Sequence, residues 1–156
     1  MDILLTVLLM IALLVLKGFF SGSEIAMVNA DKVKLNALAG KGHKGSRMVL
    51  DEFRSPEMLL GTTLVGTNIA TIVLATVGTL LVIQLVGEIG EWIAFLLFTP
   101  LFLVLGEIVP KSVYQHRSTE IAPRAIYALR VFRYLFYPLV VAFSRVSRFA
   151  AQVFGG

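Results

Sequence analysis

The stretch that decides the fold is Met58–Gly87, MLLGTTLVGTNIATIVLATVGTLLVIQLVG, thirty consecutive residues without one charge. About 20 apolar residues suffice to cross a bilayer as a helix, so this run predicts a membrane span. Ser55-Pro56-Glu57 stands in front of it. Serine suits a helix N-cap, proline the first helical position and glutamate the positive first turn, so the helix is expected to open there.

Two further apolar runs flank the first. Ile3–Leu16 is apolar but for Thr6, Lys17 interrupts it, and Gly18-Phe19-Phe20 resumes it. The other runs from Trp92 to Val109, with Trp92 placed to anchor at the outer interface. The N-terminus begins Met1-Asp2 and lacks the cationic stretch of a signal peptide, so the first run is expected to be retained. The reading is therefore an all-α integral membrane protein with a single transmembrane domain over residues 1–156. Its three transmembrane helices are expected at about 3–28, 57–86 and 92–113, and an enclosing lipid bilayer is its first partner.

Composition agrees. The 156 residues are 57% hydrophobic and 15% charged, with a mean hydropathy of +0.84, against about 45–50% and about 25% in soluble domains. The chain has no cysteine, which excludes disulfides, thiolate metal sites and cysteine nucleophiles. No catalytic constellation is present, so an enzyme is not expected. The net charge of +4 is explained by lipid headgroups beside the spans, with no nucleic acid as partner.

Loop charges set the orientation. Lys32, Lys34, Lys41, Lys44, Arg47 and Arg54 lie between the first two spans, and Lys111, Arg117, Arg124, Arg130, Arg133, Arg145 and Arg148 follow the third. The loop between spans two and three offers only Glu88 and Glu91. The positive-inside rule then puts the N-terminus outside and the C-terminus in the cytoplasm. Cytoplasmic juxtamembrane amphipathic helices are expected at about 30–54, broken at Gly40–Gly45, and at about 119–154. Within the latter, Tyr134–Phe143 is apolar but too short to cross, and Pro138 is expected to bend or break it. A fourth span there is the alternative.

Oxygen-bearing residues interrupt each span: Ser21-Gly22-Ser23, Gly66-Thr67-Asn68 and Gly106-Glu107. A carboxylate inside a span is costly and usually faces a cavity, a partner or an ion. Counted inward from the outer face, Ser21 and Asn68 lie 18 residues deep and Glu107 lies 15 deep. At 1.5 Å per residue these depths are about 27, 27 and 22 Å, one plane within the error of the boundaries. Hard oxygen donors without nitrogen or sulfur suit Mg²⁺, Ca²⁺ or Na⁺. Gly22, Gly66 and Gly106 can let the helices unwind locally and aim carbonyls at an ion, and Pro110 removes the N–H that the carbonyl of Gly106 would otherwise accept.

Plainer readings stand beside this one. Glu107 and Lys111 are spaced as a helical ion pair. Asn68 is open to interhelical bonding, the serines to bonding back onto their own helix, and the glycines to close packing. Lys17 precedes Ser21 by four residues and shares its face. It is open to snorkelling, to contact with a partner chain, or to pairing with Glu107 as a counter-charge. Glu24 faces the inner interface, either towards Lys32 or Lys34 or at the cytoplasmic mouth.

The order and spacing of Phe20-Ser21-Gly22-Ser23-Glu24, Gly66-Thr67-Asn68 and Gly106-Glu107-Ile108-Val109-Pro110-Lys111 resemble the transmembrane domain of the CorC/CNNM (cyclin M) family of magnesium transporters. The resemblance implies a homodimer in the cell membrane that exports Mg²⁺, with Na⁺ as the coupling ion. It implies ion ligands at Ser21, Ser23, Asn68 and Glu107, with the Gly66 carbonyl completing the shell. Apart from the resemblance, Lys17, Glu24 and Lys111 are candidate gating or counter-charge residues by their positions. The resemblance also implies CBS-type regulatory modules in the full-length protein. Two other functions fit the same residues: a membrane anchor or ion sensor that moves nothing, and a passive divalent-cation channel.

Overall fold

The computed structural model describes residues 2–154, and among these every regular element is helical. Seven α-helices follow in order: α1 Ile3–Asn29, α2 Lys32–Gly40, α3 Lys44–Glu52, α4 Pro56–Val86, α5 Gly90–Leu103, α6 Val109–His116 and α7 Ser118–Phe154. A π-turn, Val104–Ile108, joins α5 to α6.

Four helical stretches are long and apolar enough to cross a membrane: Ile3–Asn29, Pro56–Val86, Gly90–His116 and Ser118–Phe143. The sequence reading expects three, with a fourth in this segment as its alternative, and the last stretch adds that fourth candidate by length and composition. Its cause is Pro138, which does not break the chain: α7 runs through both Pro123 and Pro138. The apolar segment Tyr134–Phe143, too short by itself, thereby joins the helix before it into one 26-residue stretch. Packing holds the proline in line, because Val140 is fully buried and its side chain fills the space beside Gly61.

The short helices behave as their sequences dictate. Asp31 caps α2, its carboxylate accepting from the backbone N–H of Val33 at 2.9 Å and of Lys34 at 3.2 Å. His43 caps α3 through its ring, which accepts from the Ser46 N–H at 3.2 Å. The break between the two is tighter than Gly40–Gly45, since Gly45 is already helical and lies against the Pro123 carbonyl of α7. Ser55 stands at the N-cap of α4 with Pro56 after it, but its side chain makes no cap bond.

The core lies at one end of the bundle. Phe20 and Met27 of α1, Leu35 of α2, Val49 of α3, Leu59 of α4, and Ile126 and Leu129 of α7 are all buried together there. Phe20 stacks edge-on with Phe132, ring centroids 4.7 Å apart. The outer parts of α1 and α5 turn Leu4, Leu8, Phe95 and Leu96 outward, as lipid-facing helices do.

Candidate functional site: oxygen donors around a π-turn

Close contacts set the level at which the spanning helices meet. A Cβ added to Gly106 would lie 2.8 Å from the Lys17 Cδ, one added to Gly18 would lie 2.9 Å from Pro110, and one added to Gly22 would lie 2.7 Å from the Tyr114 ring. One added to Gly66 would lie 2.6 Å from the Phe20 ring. Residues 17–22 of α1 are therefore level with Gly66 of α4 and with Gly106–Tyr114 of the third span.

For Gly22 and Gly66 these contacts favour close packing over local unwinding. Both α1 and α4 pass through Gly22 and Gly66 as unbroken α-helix. Each glycine serves packing, its missing side chain admitting an aromatic ring. Only the third span departs from α geometry. There the N–H of Val109 reaches back five residues to the Val104 carbonyl. Pro110, just beyond, has no N–H to give, and the wider turn absorbs the mismatch. Single π-turns of this kind collect at functional sites. Glu107 sits inside it.

Three hydroxyls are buried at this level without a hydrogen-bond partner among the described residues: Ser21 Oγ, Ser23 Oγ and Thr67 Oγ1. The serines thus do not bond back onto their own helix. Neighbouring threonines do: Thr62 donates to the Met58 carbonyl at 2.7 Å, Thr63 to that of Leu60 at 3.0 Å and Thr71 to that of Thr67 at 2.7 Å. Thr67 is the exception, and the sequence offers no signal that singles it out among the threonines of α4.

The other expected residues fall as follows. Ser21 and Ser23 are two residues apart, about 200° around the helix, so their hydroxyls leave α1 on opposite sides. Asn68 is exposed and lies about 200° around α4 from Gly66, so within one chain it does not join the buried hydroxyls. Glu24 is half-buried and forms no ion pair among the described residues. Lys32 sits instead over the Phe53 ring, 4.7 Å from its centroid.

Charge within the site is arranged differently from a Lys17–Glu107 pair. Glu107 accepts from Lys111 Nζ at 2.9 Å, the i, i+4 pair, with both side chains about a third exposed. Lys17 is buried, and its Nζ donates to the Phe102 carbonyl at 3.2 Å. Both residues line a cavity of about 480 Å³ between α4 and the third span, shared with Thr71, Thr79, Glu91 and Phe98.

The match to the Cyclin M transmembrane N-terminal domain covers residues 8–156. The chain belongs to the cyclin M (CNNM) transmembrane family. As a member with four apolar helices, it is a multi-pass protein of the cell membrane. It is 27% identical over 140 residues to the UPF0053 inner membrane protein YfjD of Escherichia coli, covering 90% of this chain and 33% of that one. It is 30% identical over 147 residues to a UPF0053 protein of Haemophilus influenzae, covering 94% and 35%. It is 25% identical over 167 aligned positions to the polyamine export protein of Haemophilus influenzae, covering 99% and 39%. The chain thus spans about a third of the length of these curated relatives.

Proposed function

We propose that this cyclin M domain is the ion-translocating part of a Mg²⁺ exporter coupled to Na⁺, with Mg²⁺ as its cargo. The observation that carries the reading is the trio of unpartnered buried hydroxyls, Ser21, Ser23 and Thr67, level with the π-turn that holds Glu107. A buried hydroxyl without a partner costs about 1–3 kcal/mol. A protein that keeps three of them at one depth gains from what they bind, although Ser21 and Ser23 face opposite sides of α1 and do not meet on a single ion. Oxygen donors of this kind match a hard cation.

The mechanism follows from the charges. Glu107 leaves Lys111 to face the cation, and Lys111, at the inner end of the span, takes cytosolic water in its place. A single carboxylate only partly offsets a divalent charge, so binding is weak and release is quick. The π-turn supplies the moving part, since a shift to α geometry alters the direction of Glu107 by about one residue step, 100°. Na⁺ is accommodated by the same oxygens when Mg²⁺ has left.

A homodimer fits Asn68. An amide turned outward at membrane depth is costly unless protein covers it. A second copy on that face of α4 would satisfy it and return its oxygen to the site.

The test is flux into liposomes carrying a Mg²⁺-sensitive dye. Saturable flux that needs a Na⁺ gradient and disappears in Glu107→Ala supports the exporter. Absence of flux in the wild type points to an anchor or sensor, and non-saturating flux without coupling to a channel.

One observation favours a second cargo, an aliphatic polyammonium ion. The 480 Å³ cavity has Glu91 and Glu107 in its lining with Phe95, Phe98 and Phe102 between them in sequence. Carboxylates with intervening aromatic faces suit spaced ammonium groups. Putrescine or spermidine that inhibits Mg²⁺ flux competitively, and is itself carried, would establish this reading over the first.

A further inference from the structure

Outside the ion site, the chain builds one cluster in which positive charge outnumbers negative around a buried acid. Glu52, the last residue of α3, is 3% exposed. It accepts from Arg130 Nε at 3.2 Å and from Arg133 Nη1 at 2.9 and 2.7 Å, both arginines belonging to α7. One carboxylate thereby fixes two guanidinium groups, and one positive charge is left over. Arg130 is engaged only through Nε and Arg133 only through Nη1. The remaining N–H groups have no partner among the described residues. Together with Tyr134 these side chains line a polar recess of about 190 Å³.

Beside the recess α7 carries an apolar stripe. Tyr127, Val131, Tyr134, Leu135 and Leu139 are all exposed and recur at helical spacing. The arginines flank this stripe on the same helix. Glu52 lies four residues before Pro56, where α4 opens, on the lysine-rich side at which anionic lipid headgroups concentrate. Guanidinium forks match phosphate oxygens in geometry and charge.

We propose that the Glu52–Arg130–Arg133 recess binds the phosphate of an anionic phospholipid, whose acyl chains lie along the exposed stripe of α7. Glu52 acts as the positioning residue. It occupies one edge of each guanidinium and leaves the others aimed at the phosphate. The lipid bridges α3 and α7 at the base of the α4 span.

Native mass spectrometry of the detergent-purified chain, titrated with phosphatidylglycerol or phosphatidylcholine, tests this. The wild type should retain phosphatidylglycerol preferentially. Each guanidinium removed, in Arg130→Gln and Arg133→Gln, should weaken retention about fivefold. Lys41→Gln, a basic residue elsewhere on the same side, should leave it unchanged. Glu52→Gln guards against mere misfolding: it keeps the size and one acceptor while freeing charge, so retention should equal or exceed the wild type. A cluster that only holds helices together would lose retention there. Equal retention of both lipids, an equal loss in Lys41→Gln, or displacement by millimolar inorganic phosphate would each overturn the proposal.

Discussion

Lys17 and Phe102 meet across the bundle: the ammonium of Lys17 donates to the Phe102 carbonyl at 3.2 Å, two residues before the π-turn that carries Glu107. The contact needs Gly106, because a side chain there would overlap the stem of Lys17. A tethered cation therefore stands at the edge of the oxygen-rich level, while Glu107 turns to Lys111.

That arrangement makes Lys17 an internal competitor of the cargo. Lys17→Met keeps the length of the stem and removes the charge. Mg²⁺ affinity, measured by calorimetric titration in detergent, should rise at least about tenfold, since like charges repel strongly in a low-dielectric site. Unchanged affinity would show that the ammonium does not share the site.

The orphaned hydroxyls separate function from stability. Thr67→Val and Ser21→Ala remove polar atoms that have no partner among the described residues. Thermal unfolding should shift upward, by up to about 1 kcal/mol, while Mg²⁺ flux falls severalfold. A loss of stability with flux intact would mean that the hydroxyls serve the fold and not the cation.

Packing glycines give a prediction with a built-in control. Gly66→Ala must displace the Phe20 ring and Gly22→Ala the Tyr114 ring. Each should cost about 1–3 kcal/mol of stability, the range for overpacking. Phe20→Leu should relieve Gly66→Ala in part. Among the described residues nothing lies within 4 Å of a Cβ added at Gly40, so Gly40→Ala should be neutral or stabilise by about 0.5 kcal/mol. Unfolding midpoints in one detergent decide all four.

Glu52→Ala leaves Arg130 and Arg133 without their shared partner. Both arginines are about a third open to solvent, which moderates the loss. A destabilisation of about 1–3 kcal/mol is expected. Hydrogen exchange should rise first in α3 and in the facing part of α7. Protection unchanged in both segments would count against the clamp.

Legibility in the sequence followed physical cause. Met58–Gly87 announced α4 because length and freedom from charge suffice to define a span. The break before His43 announced two short helices because glycine there weakens the helix. Pro138 misled: its local tendency to bend is real, but the burial of Val140 beside Gly61 outweighs it. Glycines 22 and 66 could be read two ways, since close packing and local unwinding ask for the same residue, and the structure shows the packing.

By itself, the sequence determined that this protein is helical, that it lives in a membrane, and at what depth its polar atoms lie, because each of these depends on composition counted along one axis. Tertiary structure alone decided the rotation of each helix about that axis. The spans are apolar on every side, so no polar face marks which side turns inward. Hence Thr67 and not Asn68 presents the buried side-chain oxygen of α4 that is unpartnered among the described residues, and Lys17 reaches a carbonyl 85 residues away. Glu52 finds arginines 78 and 81 residues on, pairings that no local periodicity encodes.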